Sequence, residues 1–187
     1  MLHLGGACTV GLVSLALPAL AQQSAEAAVS LPQELRSELP DAQLQGSATL
    51  RFLGMDIYKA RLWTSREFKA ASYTQSAFGL ELIYMRSLSG RLIAERSLKE
   101  MQRQGRASEE REQAWLAAMA QAFPDVKAGD RITGVYRPGA GTNFWFNGQT
   151  RPAVHDASFG PVFFGIWLSD ATSEPKMRTS LLGQQTP

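Results

Sequence analysis

Between Gln43 and Trp63 the text QLQGSATLRFLGMDIYKARLW alternates apolar and polar residues, and Gly54 divides it into two runs. A period of two marks a strand with one buried face, so this stretch predicts two antiparallel strands, or one strand bulged at the glycine. FGLELIYMRS, Phe78 to Ser87, predicts a further strand. Leu80, Leu82 and Tyr84 share one face of it; Glu81, Ile83 and Met85 share the other, which is apolar enough to predict burial on both sides. After Ser89 the period lengthens. SGRLIAERSLKEMQRQ spaces Leu92, Ile93, Arg96 and Met101 near helical intervals and predicts a helix that Gly105 ends. Ser108 opens the next helix as its cap, with Glu109 and Glu110 suited to the first turn and Trp115, Met119 and Ala122 as its apolar stripe.

The clearest strand text follows. Arg131 to Tyr136 predicts a strand, Pro-Gly-Ala-Gly a turn, Thr142 to Phe146 a second strand, Asn147-Gly148 a hairpin turn, and the run to His155 a third strand. Phe159 to Leu168 returns to helical spacing and is apolar nearly all round, which predicts a helix buried by its neighbours. A last helix is expected near Ser173, capped by that hydroxyl, with Pro175 in its first turn. Strands, helices, a strand meander and helices again define an α+β fold: a mainly antiparallel sheet with a layer of helices on one face.

Composition changes the picture at the N-terminus. Residues 1–21, MLHLGGACTVGLVSLALPALA, hold no ionisable side chain besides His3 and Cys8, and end in Ala-Leu-Ala. That predicts a signal peptide cleaved before Gln22, and so a periplasmic or secreted protein. The apolar run is too short for the roughly 20 residues that a bilayer span needs. Cys8 would leave with the peptide, so the mature chain needs neither disulfides nor a thiolate metal site. Residues 22–40, rich in Ala, Gln, Ser and Glu, predict a loose leader or linker into a domain over 41–184.

The remaining bulk numbers exclude more than they suggest. In 187 residues, 19 basic and 17 acidic side chains are spread without a clustered stripe, so nucleic acid is not the expected partner. His155 is the one histidine beyond the leader, so neither a multi-histidine metal site nor a Ser-His-Asp arrangement with a spare base is easy to build. With Asp156 it reads as strand-end polarity; a single axial haem ligand is the sharper alternative. Glu109, Glu110, Asp125 and Asp130 look like solvated helix ends and loops. No cofactor is expected.

LQGSATLRFLGMDIYKARLW, AERSLKEM, FPDVKAGDRITGVYRPGAGTNFWFNG and FFGIWLSDATSEPKMRTSLLG, in this order and spacing, resemble the bacterial exported branch of the chalcone isomerase-like family. The resemblance covers about Gln43 to Gly183. It implies that family's open-faced β-sandwich, with a cleft between sheet and helices that holds a flavonoid in the plant enzymes or a fatty acid in the binding members. The plant isomerases steady a phenolate with an arginine, a threonine and a tyrosine. Aligning the glycine and tyrosine anchors puts Leu50, Tyr58 and Ile93 at those positions, with Arg51 one residue from the first. Adjacent strand side chains point to opposite faces, so Arg51 reaches the cleft only if a bulge turns it.

An aliphatic side chain cannot stabilise an oxyanion, a contribution of about 2.7–4 kcal/mol per donor. The reading is therefore a non-catalytic binder of a small apolar or carboxylate-bearing ligand such as a fatty acid. Arg51, Tyr58 and Arg96 are its candidate ligand-binding residues. An isomerase or lyase acting on a small phenolic or enone substrate around Tyr58 and Arg51 is the enzyme alternative; an envelope interaction protein or haem binder is the other.

Overall fold

A computed structural model describes residues 29–184. The expected signal peptide, Cys8 included, lies outside the described residues. Six strands form one open antiparallel sheet in which spatial order repeats chain order: β1 (Gln43–Phe52), β2 (Met55–Thr64), β3 (Phe78–Tyr84), β4 (Arg131–Arg137), β5 (Gly141–Phe146) and β6 (Gln149–Val154). Glycine punctuates two of the hairpins as expected. Leu53-Gly54 and Asn147-Gly148 each place two successive residues at positive φ, near 49° and 77° in the first turn and 50° and 82° in the second. That is the backbone that two-residue hairpins require to match strand twist.

Four helices cover one face of the sheet. α2 (Gly90–Met101) and α3 (Glu109–Ala122) lie in the connection from β3 to β4; α4 (Phe159–Leu168) and α5 (Pro175–Leu181) follow β6. α4 sits at the centre of this layer and buries Phe159, Phe163, Phe164, Trp167 and Leu168, as its all-round apolar text predicts. Phe159 stacks on Phe163 at 5.1 Å, and Phe164 meets Phe78 edge-on at 5.0 Å, which ties the helix to β3. α5 presses on β1 where Gly46 stands. A methyl group there would come within 2.1 Å of the Ser180 carbonyl oxygen, so only glycine permits this approach.

Capping follows the sequence in α3 and departs from it in α5. The Ser108 hydroxyl accepts the Arg111 N–H and caps α3 as expected. The Gly90 N–H at the start of α2 is received by Asp125 Oδ1 at 2.9 Å, so Asp125 has a structural partner across the layer. α5 begins at Pro175 rather than near Ser173; the Thr172 hydroxyl, two residues upstream, accepts the Glu174 N–H.

The opposite face of the sheet carries the main correction. Within the stretch expected as a loose leader, 22–40, the described residues include helix α1 (Gln33–Glu38), with Leu35 fully buried against Trp63, Val135 and Trp145. Beneath it lies a charged cluster. Glu34 Oε1 accepts from Arg131 Nη2 at 2.9 Å and from the Thr133 hydroxyl at 2.8 Å, while the Arg131 Nε lies 3.6 Å from Glu81 Oε1. Glu81 also accepts from Trp63 Nε1 at 3.2 Å. β3 is thus buried on both sides, as expected, but its second face is closed over a buried carboxylate rather than an apolar surface. Asp130 is likewise buried, not solvated: it accepts from the Lys127 backbone and ammonium groups and from Asn147 Nδ2.

Candidate functional site

Between the sheet and the helix layer lies a cavity of about 350 Å³. Its floor is Leu50 of β1, Ile57 and Tyr58 of β2, Leu80, Leu82 and Tyr84 of β3, Ile132 of β4 and Phe144 of β5. The roof is built by Leu92, Ile93 and Arg96 of α2, Phe163, Phe164 and Trp167 of α4, and Met177 of α5. Strand periodicity explains the floor: Leu80, Leu82 and Tyr84 are alternate residues of β3, and Tyr58 is paired with Tyr84 in the register.

Few polar groups break this wall. Tyr58 Oη accepts the Trp167 indole N–H at 3.0 Å, which pins β2 to α4. Burial raises the Tyr58 phenol far above its usual range, a shift that the Trp167 hydrogen bond only partly opposes. Burial also raises Tyr84, whose ring stands edge-on to Tyr58 at 5.9 Å. Both phenols therefore stay protonated at neutral pH and cannot act there as bases. Arg96 Nη2 lies 2.7 Å from Glu100 Oε1, one helical turn on, and both residues line the cavity. The other oxygen of Glu100 is buried and has no hydrogen-bond partner, with Arg103 Nε 3.6 Å away. Ser97 spends its hydroxyl on the Ile93 carbonyl at 2.8 Å.

Of the three residues singled out from the sequence, Tyr58 and Arg96 line the cavity and Arg51 does not. A register shift does fall between Leu50 and Arg51, the bulge that could have turned the guanidinium inward. The outcome is the reverse. Leu50 faces the cavity, while Arg51 points to solvent with its side chain 72% exposed and bonded to Asp56. Ile93 also lines the wall.

His155 is exposed and takes no part in the lining. Among the described residues no cluster of three His, Cys, Asp or Glu side chains is placed to hold a metal ion. No helix among them is long and apolar enough to cross a membrane.

Glu100 and Trp167 are the site residues that sequence reasoning missed. Glu100 was accessible in principle, because a carboxylate four residues after Arg96 on a helix is its natural partner. Trp167 meets Tyr58 across 109 residues of chain, and nothing local announces that contact.

The architecture is an open six-stranded antiparallel sheet with a helix layer on one face and an apolar cleft between them. Residues 23–183 match the family model described as chalcone isomerase-like, and the chain belongs to that family. The fold is similar to that of a fatty-acid binding protein of Arabidopsis thaliana, with a TM-score of 0.59 at 12% identity over 76% of this chain and 87% of that one. An uncharacterized protein of Haemophilus influenzae is 33% identical over 72 residues, 38% of this chain and 35% of that protein. The match thus spans about a third of that relative's length.

Proposed function

We propose that this chain is a non-catalytic binding protein for a small apolar molecule, with a fatty acid as the first class to test, acting in the periplasm or outside the cell. The observation that carries the reading is the cavity itself. Its 350 Å³ falls in the range of small-molecule pockets, roughly 300–1,000 Å³, and its lining has their composition, an apolar wall with a few placed polar groups. A void that size is costly. At about 24 cal/mol per Å³ for a sealed cavity, even a partly open one forfeits several kcal/mol, a large share of a domain's net ~5–15 kcal/mol. Family membership and the likeness in fold to a fatty-acid binding protein support the same reading. The apolar run ahead of Gln22 supports export.

The isomerase or lyase alternative places its chemistry around Tyr58 and Arg51. Arg51 lies outside the cavity, bound to Asp56, which weighs against that chemistry. Native mass spectrometry of freshly purified protein, followed by titration with fatty acids, tests the proposal. A bound acyl compound, or saturable binding that Ile93→Trp weakens at least tenfold by filling the cavity, is the expected result. A protein that is empty as purified and ignores every amphiphile offered overturns it.

A further inference from the structure

Five of the seven large apolar side chains exposed among the described residues gather at one end of the molecule. Phe52 (58% exposed), Leu53 (82%) and Met55 (43%) form the tip of the β1–β2 hairpin, Met85 (44%) follows β3, and Leu92 (59%) lies in the first turn of α2. They adjoin one another: the Met85 N–H donates to the Ile57 carbonyl at 2.9 Å, and Arg86 Nη1 lies 2.8 Å from the Met55 sulfur. Phe52 and Leu92 are at once exposed and part of the cavity wall, so the cavity reaches the surface within this patch.

We propose that this end of the molecule docks on a lipid bilayer, with the Leu53 tip inserted among the headgroups, and that the apolar ligand enters and leaves the cavity there without crossing water. This rests on the reading of the cavity as an apolar-ligand site.

Three observations select a bilayer as the occupant. Leu53 sits at a φ of 49°, a conformation suited to Gly or Asn, and gains no packing in return. The β5–β6 hairpin uses Asn147 at the same place with the same backbone, so turn geometry does not explain a leucine. The patch is also small. Five partly exposed side chains present roughly a few hundred Å², short of the ~800 Å² per partner that a stable protein interface buries. Finally, the fringe is zwitterionic like a phospholipid surface: Arg51 is paired with Asp56 and Arg91 with Glu95, while Arg86 is bonded to sulfur. Arginine stems lie along apolar surface while their heads reach phosphates.

The test uses the protein as the producing cell delivers it, carrying Cys8→Ser and either Leu53→Cys or Ser65→Cys, each thiol labelled with an environment-sensitive fluorophore. Ser65 lies at the opposite end of β2, just past Thr64, and is exposed. Vesicles of phosphatidylethanolamine and phosphatidylglycerol are expected to blue-shift the label at position 53 and leave that at 65 unchanged. In flotation with the same vesicles, Leu53→Asp, whose new side chain tolerates the turn backbone, should lower partitioning at least about tenfold. No shift at 53, equal shifts at both positions, or unchanged flotation of Leu53→Asp overturns the proposal. So does a dimer in sedimentation that Leu53→Asp abolishes, which would assign the patch to a second copy. A fluorescent fatty acid titrated without vesicles reads the cavity alone: docking that persists while the cavity stays empty upholds the surface and sinks the ligand reading.

Discussion

At the scale of single residues, one step along β1 decides what the cavity is. Leu50 and Arg51 are neighbours, yet the first lines the cavity and the second lies in solvent. Arg51→Ala should therefore leave fatty-acid affinity within about twofold of wild type, because the charge it removes is already paired on the outside. Titration of both proteins with the same fluorescent acid checks this. Tyr58 has the opposite standing. Tyr58→Phe leaves the Trp167 indole N–H without its acceptor, a loss of about 1 kcal/mol expected in the urea midpoint. A stability unchanged by that substitution would mean that the β2–α4 tie does not form in solution.

Elements meet where the chain leaves out side chains or buries charges in company. α5 reaches β1 only across Gly46, so Gly46→Ala forces the Ser180–Leu181 backbone away and should cost roughly 1–3 kcal/mol. Circular dichroism during thermal unfolding would report it. On the other face α1 is held by Leu35 and by the Glu34 bonds to Arg131 and Thr133. Removing one partner of a buried pair leaves the other uncompensated. Arg131 keeps partial exposure, so Glu34→Ala should cost about 2 kcal/mol, below the 3–5 of a fully buried pair. Faster hydrogen exchange at α1 would be the local signature. These elements were legible unequally. Alternation exposed the β1–β2 hairpin, Asn-Gly marked the β5–β6 turn, and the apolar text of Phe159 to Leu168 gave α4 its true bounds. α1 was missed although Leu31, Leu35 and Leu39 recur every four residues and pack on one cluster, because a six-residue helix between Pro32 and Pro40 is too short for that spacing to stand out.

Across the whole molecule, ionisation sets a window of stability. Asp130 is pulled to about 2, chiefly by the Lys127 ammonium and backbone bonds, against a usual value of 3.8. A lowered carboxylate contributes stability that is full above its unfolded value and is lost as pH falls from about 4 towards 2. Tyr73, partly buried and donating to the Pro161 carbonyl, is pushed up to about 12 from 10.0, chiefly by that burial. Its contribution is full below about pH 10 and is lost as pH rises through about 12, the sign expected for a phenol kept neutral by burial. Melting temperature should therefore be flat with respect to these two groups between about pH 4 and 10 and fall at both ends. A fall beginning near neutral pH would point to another group as the determinant.

What the sequence determined by itself was most of the elements, α1 excepted, because hydrophobic period, turn residues and caps are local and each leaves a mark within a few positions; the family was legible from the order and spacing of four motifs. Tyr58 and Arg96 were singled out as polar groups that could meet a carboxylate in the cleft the family resemblance implies, and both line the cavity. Only the tertiary structure decided that Arg51 lies outside, that Glu34 and Glu81 share a buried arginine, and that the cavity opens beside an exposed hairpin tip. Each of these depends on which distant segment arrives opposite a given side chain. Sheet register, a bulge and close approach at a glycine set that arrival, and none is encoded at one place in the chain.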